Sequence, residues 1–447
     1  MEFRNLTPFD ALCFSALDPN DDEHKVIVMK VGFRLIPQAD GSWRADLIED
    51  PPVPLCLGDE FFGEPGESSV RQESDLAPYK PRCDVLVIGH AYAPGGKPSA
   101  HWETRLRVSL PPGETERDEP DAPQPLNPMM GLTDAQREQW QRDKQRAAQS
   151  AASAAAAEHV LLDKRLTMLG PYGFTQRFLL PGWRRSRVMP IARLALRWEH
   201  AFGGSSVVRD RRKPDGKTLL DEVCFSNPVG RGWVERREAG LARKAGQPRR
   251  RVIDAPQIVP SGKPLAAPVL VSHPKGEQNA RQMAERARGY GVQPAGYGPV
   301  GRAWAPRLAL AGTYDDTWLQ QRHPGLPADI DFRYWNCAPE DQQLPYLPPT
   351  FRLQAWNLTS PTQGNGHLDV TLPGHRAFLL MRLESGVVLP LPMITDTAIL
   401  DTDEMTLTLT HRSWIPAATP PVRVLEARYE ADPAAPLIRR APAVQEA

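Results

Sequence analysis

The placement of proline constrains this chain more than any other feature. Its 47 prolines are roughly twice the usual share, and they are spread along most of the sequence. Each one fixes φ and removes a backbone donor, which favours short strands and rigid turns over long helices. Between the prolines stand runs with period-two alternation. KVIVMKVGFRLI (25–36) puts Ile27, Met29, Val31, Phe33 and Leu35 on one face, with Val28, Lys30 and Arg34 opposite. That pattern predicts a half-buried strand. QADGSWRADLI adds an Asp-Gly turn, so residues 26–48 read as a hairpin. DVLVIGHAYA (84–93) and TRLRVSL (104–110) read as a second pair joined through PGGKPS. HLDVTL, RAFLLMRL, GVVLPLPMI and MTLTLTHRSW continue the pattern in the last third. The predicted fold class is mainly β, with antiparallel, sandwich-like sheets, a helical insertion and long Pro/Gly-rich loops.

One segment breaks the rule. GLTDAQREQWQRDKQRAAQSAASAAAAEHVLLDKRL (131–166) has no proline and is rich in alanine and charge, a strongly helix-forming composition. Thr133 with Gln136 forms a weak capping box. Trp140 early and Val160, Leu161 and Leu162 late are its main apolar anchors, so an exposed insertion is expected. The predicted division is therefore a β-rich part over 1–128, a helical insertion over 129–168 and a β-rich remainder over 169–430. That remainder contains a long basic loop at 205–290, and an Ala/Pro-rich flexible tail covers 431–447.

Charge is balanced overall but unevenly placed. Residues 1–130 hold 12 Lys and Arg against 23 Asp and Glu, and residues 131–320 hold 32 against 17. Opposed segments of one fold, or charges spread over loops, account for this; the alternative is nucleic-acid binding through 209–251. That alternative predicts affinity falling steeply with salt, but the segment has few aromatics to stack bases. No run of about 18 apolar residues occurs, and the first residues lack the basic-then-apolar order of a signal peptide. The five cysteines are far apart, with no CxxC pair, so reduced thiols and a cytoplasmic location are expected.

Motifs for chemistry are weak. GYGPVG (296–301) matches G-x-G-x-x-G, with Asp315 downstream, yet no buried strand precedes it and Pro299 sits inside it. It reads as a structured loop. The ten histidines show no metal-ligand spacing, and there is no GxSxG elbow. Cys13, Cys83 and Cys337 could in principle pair with a distant histidine, but no local motif supports it. Carboxylate pairs such as Asp329/Asp331 and Asp401/Asp403 suit turns, because Asp beside Pro and Gly bonds nearby backbone amides. Their other reading is a carbohydrate- or peptide-acting hydrolase. No catalytic residue, cofactor or metal is expected.

Several longer blocks carry a resemblance. They are NLTPF (5–9), VIVMKVGFRL, ESDLAPYKPRCDVLVIGHAYAPGG, EHAFGG (199–204), NPVGRGW (227–233) and PAGYGPVGRAWAPRLALAGTYDDTW (294–318). DIDFRYWNCAPEDQQLP (329–345) and DTAILDTDEMTLTLTHR complete the set. Their order resembles the type VI secretion accessory proteins labelled domain of unknown function 2169, from the N-terminus to about residue 415. The resemblance implies an adaptor or chaperone that loads a toxin effector, PAAR- or Rhs-type, onto the secretion spike. The implied partners are that effector and a PAAR/VgrG spike component, not nucleic acid or membrane. Trp, Tyr and Arg are the usual anchors of protein interfaces. The candidate contacts are therefore Trp183, Arg231, Trp233, Trp304, Arg307, Trp318, Tyr334 and Trp335. In ESDLAPYKPRCDVLVIG (73–89), Pro78 and Pro81 are expected to fix the approach to a strand, with Asp75 and Lys80 or Arg82 satisfying neighbouring turns.

Overall fold

The computed structural model describes residues 1–111 and 158–438, apart from residues 19, 66 and 417–420 and several short stretches between 178 and 293. The alternating sequence 26–48 forms the expected hairpin. Strands Glu23–Pro37 and Trp43–Ile48 pair antiparallel with Leu35 opposite Ala45, and Gly41 turns the chain at φ 86°. Around this hairpin grows a curled, mixed sheet of twelve strands. Thr406–Pro416 lies along Glu23–Pro37, then Ile394–Asp401, then Cys83–Ile88, and the two-residue strand Gln343–Leu344 closes that side. On the other side run His367–Thr371, Arg352–Trp356, His101–Leu110, His159–Leu169 and Ile258–Pro260. Strand Asp10–Leu17 pairs separately with the first half of Glu23–Pro37.

A second sheet of four strands runs Glu2–Asn5, Val422–Glu430, Arg376–Leu383, Val388–Pro392. Both sheets contribute to one core, in which Leu379, Met381, Leu425 and Ala427 join Ile27, Met29, Val31, Leu106 and Leu407. Phe9 meets Tyr429 edge-on at 4.7 Å within it. The NLTPF block places Phe9 there: Asn5 Oδ1 accepts from the Thr7 amide and hydroxyl, while Asn5 Nδ2 donates to the Phe9 carbonyl. This is a side-chain-closed turn of the kind Asn favours.

Several expectations differ from the structure. Residues 84–93 do not pair with 104–110. Cys83–Ile88 is buried on both faces and pairs parallel with Ile394–Asp401, whereas His101–Leu110 pairs with His159–Leu169 and Arg352–Trp356. A continuous apolar run signals a strand covered on both sides, and such strands sit inside sheets rather than in isolated hairpins. Residues 159–168 of the expected helical insertion are strand, with Leu162, Leu166 and Met168 buried. The alanine-rich stretch upstream hid this alternation; residues 131–157 lie outside the described residues. The basic stretch 205–290 contains short strands, including the hairpin Gly204–Arg209 with Lys217–Cys224, and the helix Glu238–Lys244. Finally, the first part of the tail is held, because Arg376 donates to the carbonyls of Asp432 and Ala435.

The strand Glu23–Pro37 was expected to be half-buried, yet both its faces are covered from Val26 to Phe33. On the core side of the neighbouring strand lies His411, only 5% exposed, with Nδ1 3.2 Å from Thr395 Oγ1. Burial pushes its pKa from 6.5 down to about 4. The folded state thus resists a proton that the unfolded chain accepts. His411 therefore adds full stability above pH 6.5, and this is lost as the pH falls towards 4, by about 3 kcal/mol. Urea midpoints at pH 7 and pH 4.5 should differ less in His411→Gln than in the parent; equal differences would show that His411 does not drive the slope.

Candidate functional site

The second face of the central strands carries a small apolar cluster, Leu86, Ile88 and Ile399 against Cys337 and Ala338, and beside it a charged layer. Residues 73–84 cross this face as a strap, and the sheet meets the strap with charge. Lys30 Nζ donates to Asp75 Oδ2 at 2.8 Å, the Cys56 amide donates to the same oxygen, and Thr410 Oγ1 donates to Asp75 Oδ1. Arg412 donates to the Ala77 carbonyl at 2.6 Å and to Asp396 at 2.5 Å. Lys80 donates to Asp84 and to Thr397 Oγ1, both at 2.9 Å. At the start of the strap Arg307 forks onto both oxygens of Glu73 and also donates to the Val300 and Tyr334 carbonyls. Lys30, Lys80, Arg307 and Arg412 face Glu73, Asp75, Asp84 and Asp396, and all eight are buried.

Burial alone would discharge such groups, so pairing has to offset it. For Lys80, burial is the largest single influence and pulls the ammonium pKa down, but the charges of Asp84 and Asp396 and the bond to Asp84 together hold it above the ordinary lysine range. For Arg307, burial again pulls down, and the bonds to Glu73 hold it above its usual range. The expectation that Asp75 and Lys80 satisfy neighbouring turns is corrected. Both are ion-paired, Asp75 to a strand far away in sequence and Lys80 to Asp84 and Thr397. Sequence inspection saw Lys30 on the face opposite the apolar residues, but nothing local indicated that Asp75 would cover it.

Asp84 ties the strap to the segment 302–345. Besides Lys80 it accepts from the amides of Cys337 and Ala338 and from Asn336 Nδ2. Gln342 Nε2 donates to the carbonyls of Val85 and Tyr297. The loop GYGPVG is therefore packed structure, with Tyr297 1% exposed and Gly296 against the Trp198 ring. Burial and the Asp84 charge push the Cys337 thiol up, and burial does the same first for Cys83 and for Cys13. A raised thiol pKa disfavours the thiolate that nucleophilic chemistry needs.

The acid pairs serve turns. Asp331 accepts from the amide and guanidinium of Arg333, and Asp401 accepts from the amides of Asp403 and Glu404. Asp329 accepts from the amide and hydroxyl of Thr313, and Asp403 lies against His90 Nδ1 and the Tyr92 hydroxyl. Among the described residues no group of three His, Cys, Asp or Glu side chains is placed to hold a metal ion.

Of the candidate contacts, Arg307, Tyr334 and Trp335 come together, while Trp304 packs against the core, its ring 6.5 Å from that of Trp198. Arg307 lies over the Tyr334 ring at 5.5 Å, Tyr334 meets Trp335 edge-on at 5.6 Å, and Arg302 lies over Trp335 at 5.6 Å. Arg307 itself is buried and holds this group from below. Trp318 stands on the short helix Asp316–Gln321 of the same segment. Its Nε1 donates to the Gly325 carbonyl, and its ring meets Tyr314, 55% exposed. Trp183, Arg231 and Trp233 lie apart. Trp183 packs on the Tyr172–Phe174 cluster, Arg231 donates to Gln257, and Trp233 is buried with Phe202 and Val271.

Sequence reasoning missed a second aromatic group, built on Tyr79 of the strap itself. Tyr79 meets Phe332 at 5.6 Å and Trp414 at 4.8 Å, both edge-on, and Trp414 is 37% exposed. The available signal was Trp414 itself, a tryptophan on the threonine-bearing face of MTLTLTHRSW. The site as a whole is a rim of half-exposed aromatic side chains mounted on a buried ionic floor. A family model described as "uncharacterized protein conserved in bacteria (DUF2169)" matches residues 20–111 and 138–412. No curated protein and no solved structure matches the chain.

Proposed function

We propose an adaptor function for this chain, which belongs to the bacterial family of domain of unknown function 2169: it binds a toxin effector, PAAR- or Rhs-type, and helps load it onto a type VI secretion spike from the cytoplasm. The observation that carries the reading is the rim. Tyr79, Trp414, Phe332, Tyr334 and Trp335 offer large apolar area at a fixed position, because the ion pairs beneath them hold their backbones. Rigid aromatics lose little entropy on binding and dominate interface energetics. No helix among the described residues is long and apolar enough to cross a membrane.

The test is purification of the tagged protein from its own cells with mass spectrometry of stoichiometric companions. A toxin or spike-tip protein encoded beside it is the expected companion. Titrated against that purified companion, Trp414→Ala with Tyr314→Ala should bind about 10–100-fold more weakly, the range of lost aromatic anchors. Both side chains are exposed enough that the urea midpoint should stay near the parent's. A protein that elutes alone, or a variant with parental affinity, would count against the reading.

A further inference from the structure

The strands that end the two large sheets are blunted, with one exception. Ile258–Pro260 and Gln343–Leu344 are three and two residues long, Glu2–Asn5 is short and carries Glu2 and Arg4, and Val388–Pro392 contains two prolines. Short length, charge and proline are the usual protections of a sheet edge. Strand Asp10–Leu17 has none of them: it is eight residues long and uncharged after Asp10. It pairs on one side with Glu23–Pro37, and among the described residues no strand pairs with its other side. None of its backbone groups bonds elsewhere among those residues.

Its surroundings select what could pair there. Leu12 and Leu17 are 38% and 41% exposed. Phe14 lies across from Val26, which lies across from Trp414, so one apolar row runs from the open edge to the aromatic rim. The far end of the strand enters a turn carrying Asp18, Asp21, Asp22 and Glu23. Among the described residues Lys25 lies 2.5 Å from Glu23, Arg322 lies 3.4 Å from Asp21, and His24 stands beside Asp18. A second copy fits poorly. Antiparallel pairing would set each acidic turn beside the other copy's Asp10, and parallel pairing would stack the two turns. From this edge we infer that Asp10–Leu17 receives one extended segment of the partner polypeptide, apolar at alternate positions and basic where it passes the acidic turn. Main-chain bonds would give the affinity and the alternate side chains the choice of partner. The inference deepens the adaptor reading and rests on it.

The test uses the full chain and two synthetic peptides of alternating valine and threonine, one ending in two lysines and the other in two glutamates. The lysine peptide should slow amide exchange across 10–17 and bind about tenfold more tightly than the glutamate peptide at low salt. Leu12→Lys with Leu17→Lys puts like charge on the edge at exposed positions, and should weaken the lysine peptide by about tenfold or more with little change in urea midpoint. Absence of binding, equal binding of both peptides, or protection elsewhere would overturn the inference. So would a dimer seen by light scattering that the lysine variant dissolves. If the edge binds peptide but no cellular companion exists, the adaptor reading fails alone. A companion whose affinity ignores the lysine variant would sink the edge and leave the adaptor reading standing.

Discussion

Asp84→Ala is expected to cost about 3–5 kcal/mol, because it strands the Lys80 ammonium in a site 5% exposed. It also removes the acceptor of the Cys337 and Ala338 amides and one acceptor of Asn336 Nδ2, so the segment 336–338 keeps the Asn336 bond to the Arg82 carbonyl and its apolar packing but loses its polar anchor on the strand. Domains commonly hold only about 5–15 kcal/mol in total, so the loss should show as a large drop in urea midpoint. The double variant Lys80→Met/Asp84→Asn removes both charges and keeps an acceptor oxygen. It should recover at least about 1 kcal/mol relative to Asp84→Ala, since the damage comes from an unpaired buried charge more than from the absent bond. Effects that merely add around the double-mutant cycle would show that Lys80 and Asp84 do not act as a pair.

Arg307→Ala should be as severe in stability and should also reach the rim. It leaves Glu73 with Arg302 alone, at 3.4 Å, and leaves the Val300 and Tyr334 carbonyls without their donor. The expected cost is again about 3–5 kcal/mol. Arg307→Lys should fall between parent and alanine variant, because an ammonium cannot reproduce the forked contact with both Glu73 oxygens. Amide exchange is the discriminating measurement. In conditions where the alanine variant remains folded, residues 331–337 should exchange faster and affinity for the companion should drop, while the His101–Leu110 strand keeps its protection. Uniform acceleration across both regions would mean that Arg307 supports the whole fold rather than the rim.

Period two was legible in strands with one wet face, except where the alanine-rich approach to His159–Leu169 disguised it. His101–Leu110 buries Trp102, Thr104, Leu106 and Val108 and turns Glu103 and Arg105 outward, so TRLRVSL announced itself. The hairpin 26–48 was equally readable from its alternation and its Asp-Gly turn. Pairing was not. Cys83–Ile88 is apolar throughout, which says that it is buried but not beside which strand, and its neighbour Ile394–Asp401 lies more than three hundred residues away.

The candidate site divides in the same way. ESDLAPYKPRCD drew attention through its charges between prolines, and Tyr334, Trp335 and Arg307 through their residue types. Alternation, turn chemistry and composition are local properties, so the sequence alone determined a β-rich chain punctuated by proline, the first hairpin and the set of side chains suited to an interface. Whether Asp75 caps a turn or neutralises Lys30 depends on which backbone lies across from it. So does the division of the tryptophans between core and rim. Only the tertiary structure decided these, because a buried charge is tolerated only beside a partner that the folded chain carries to it.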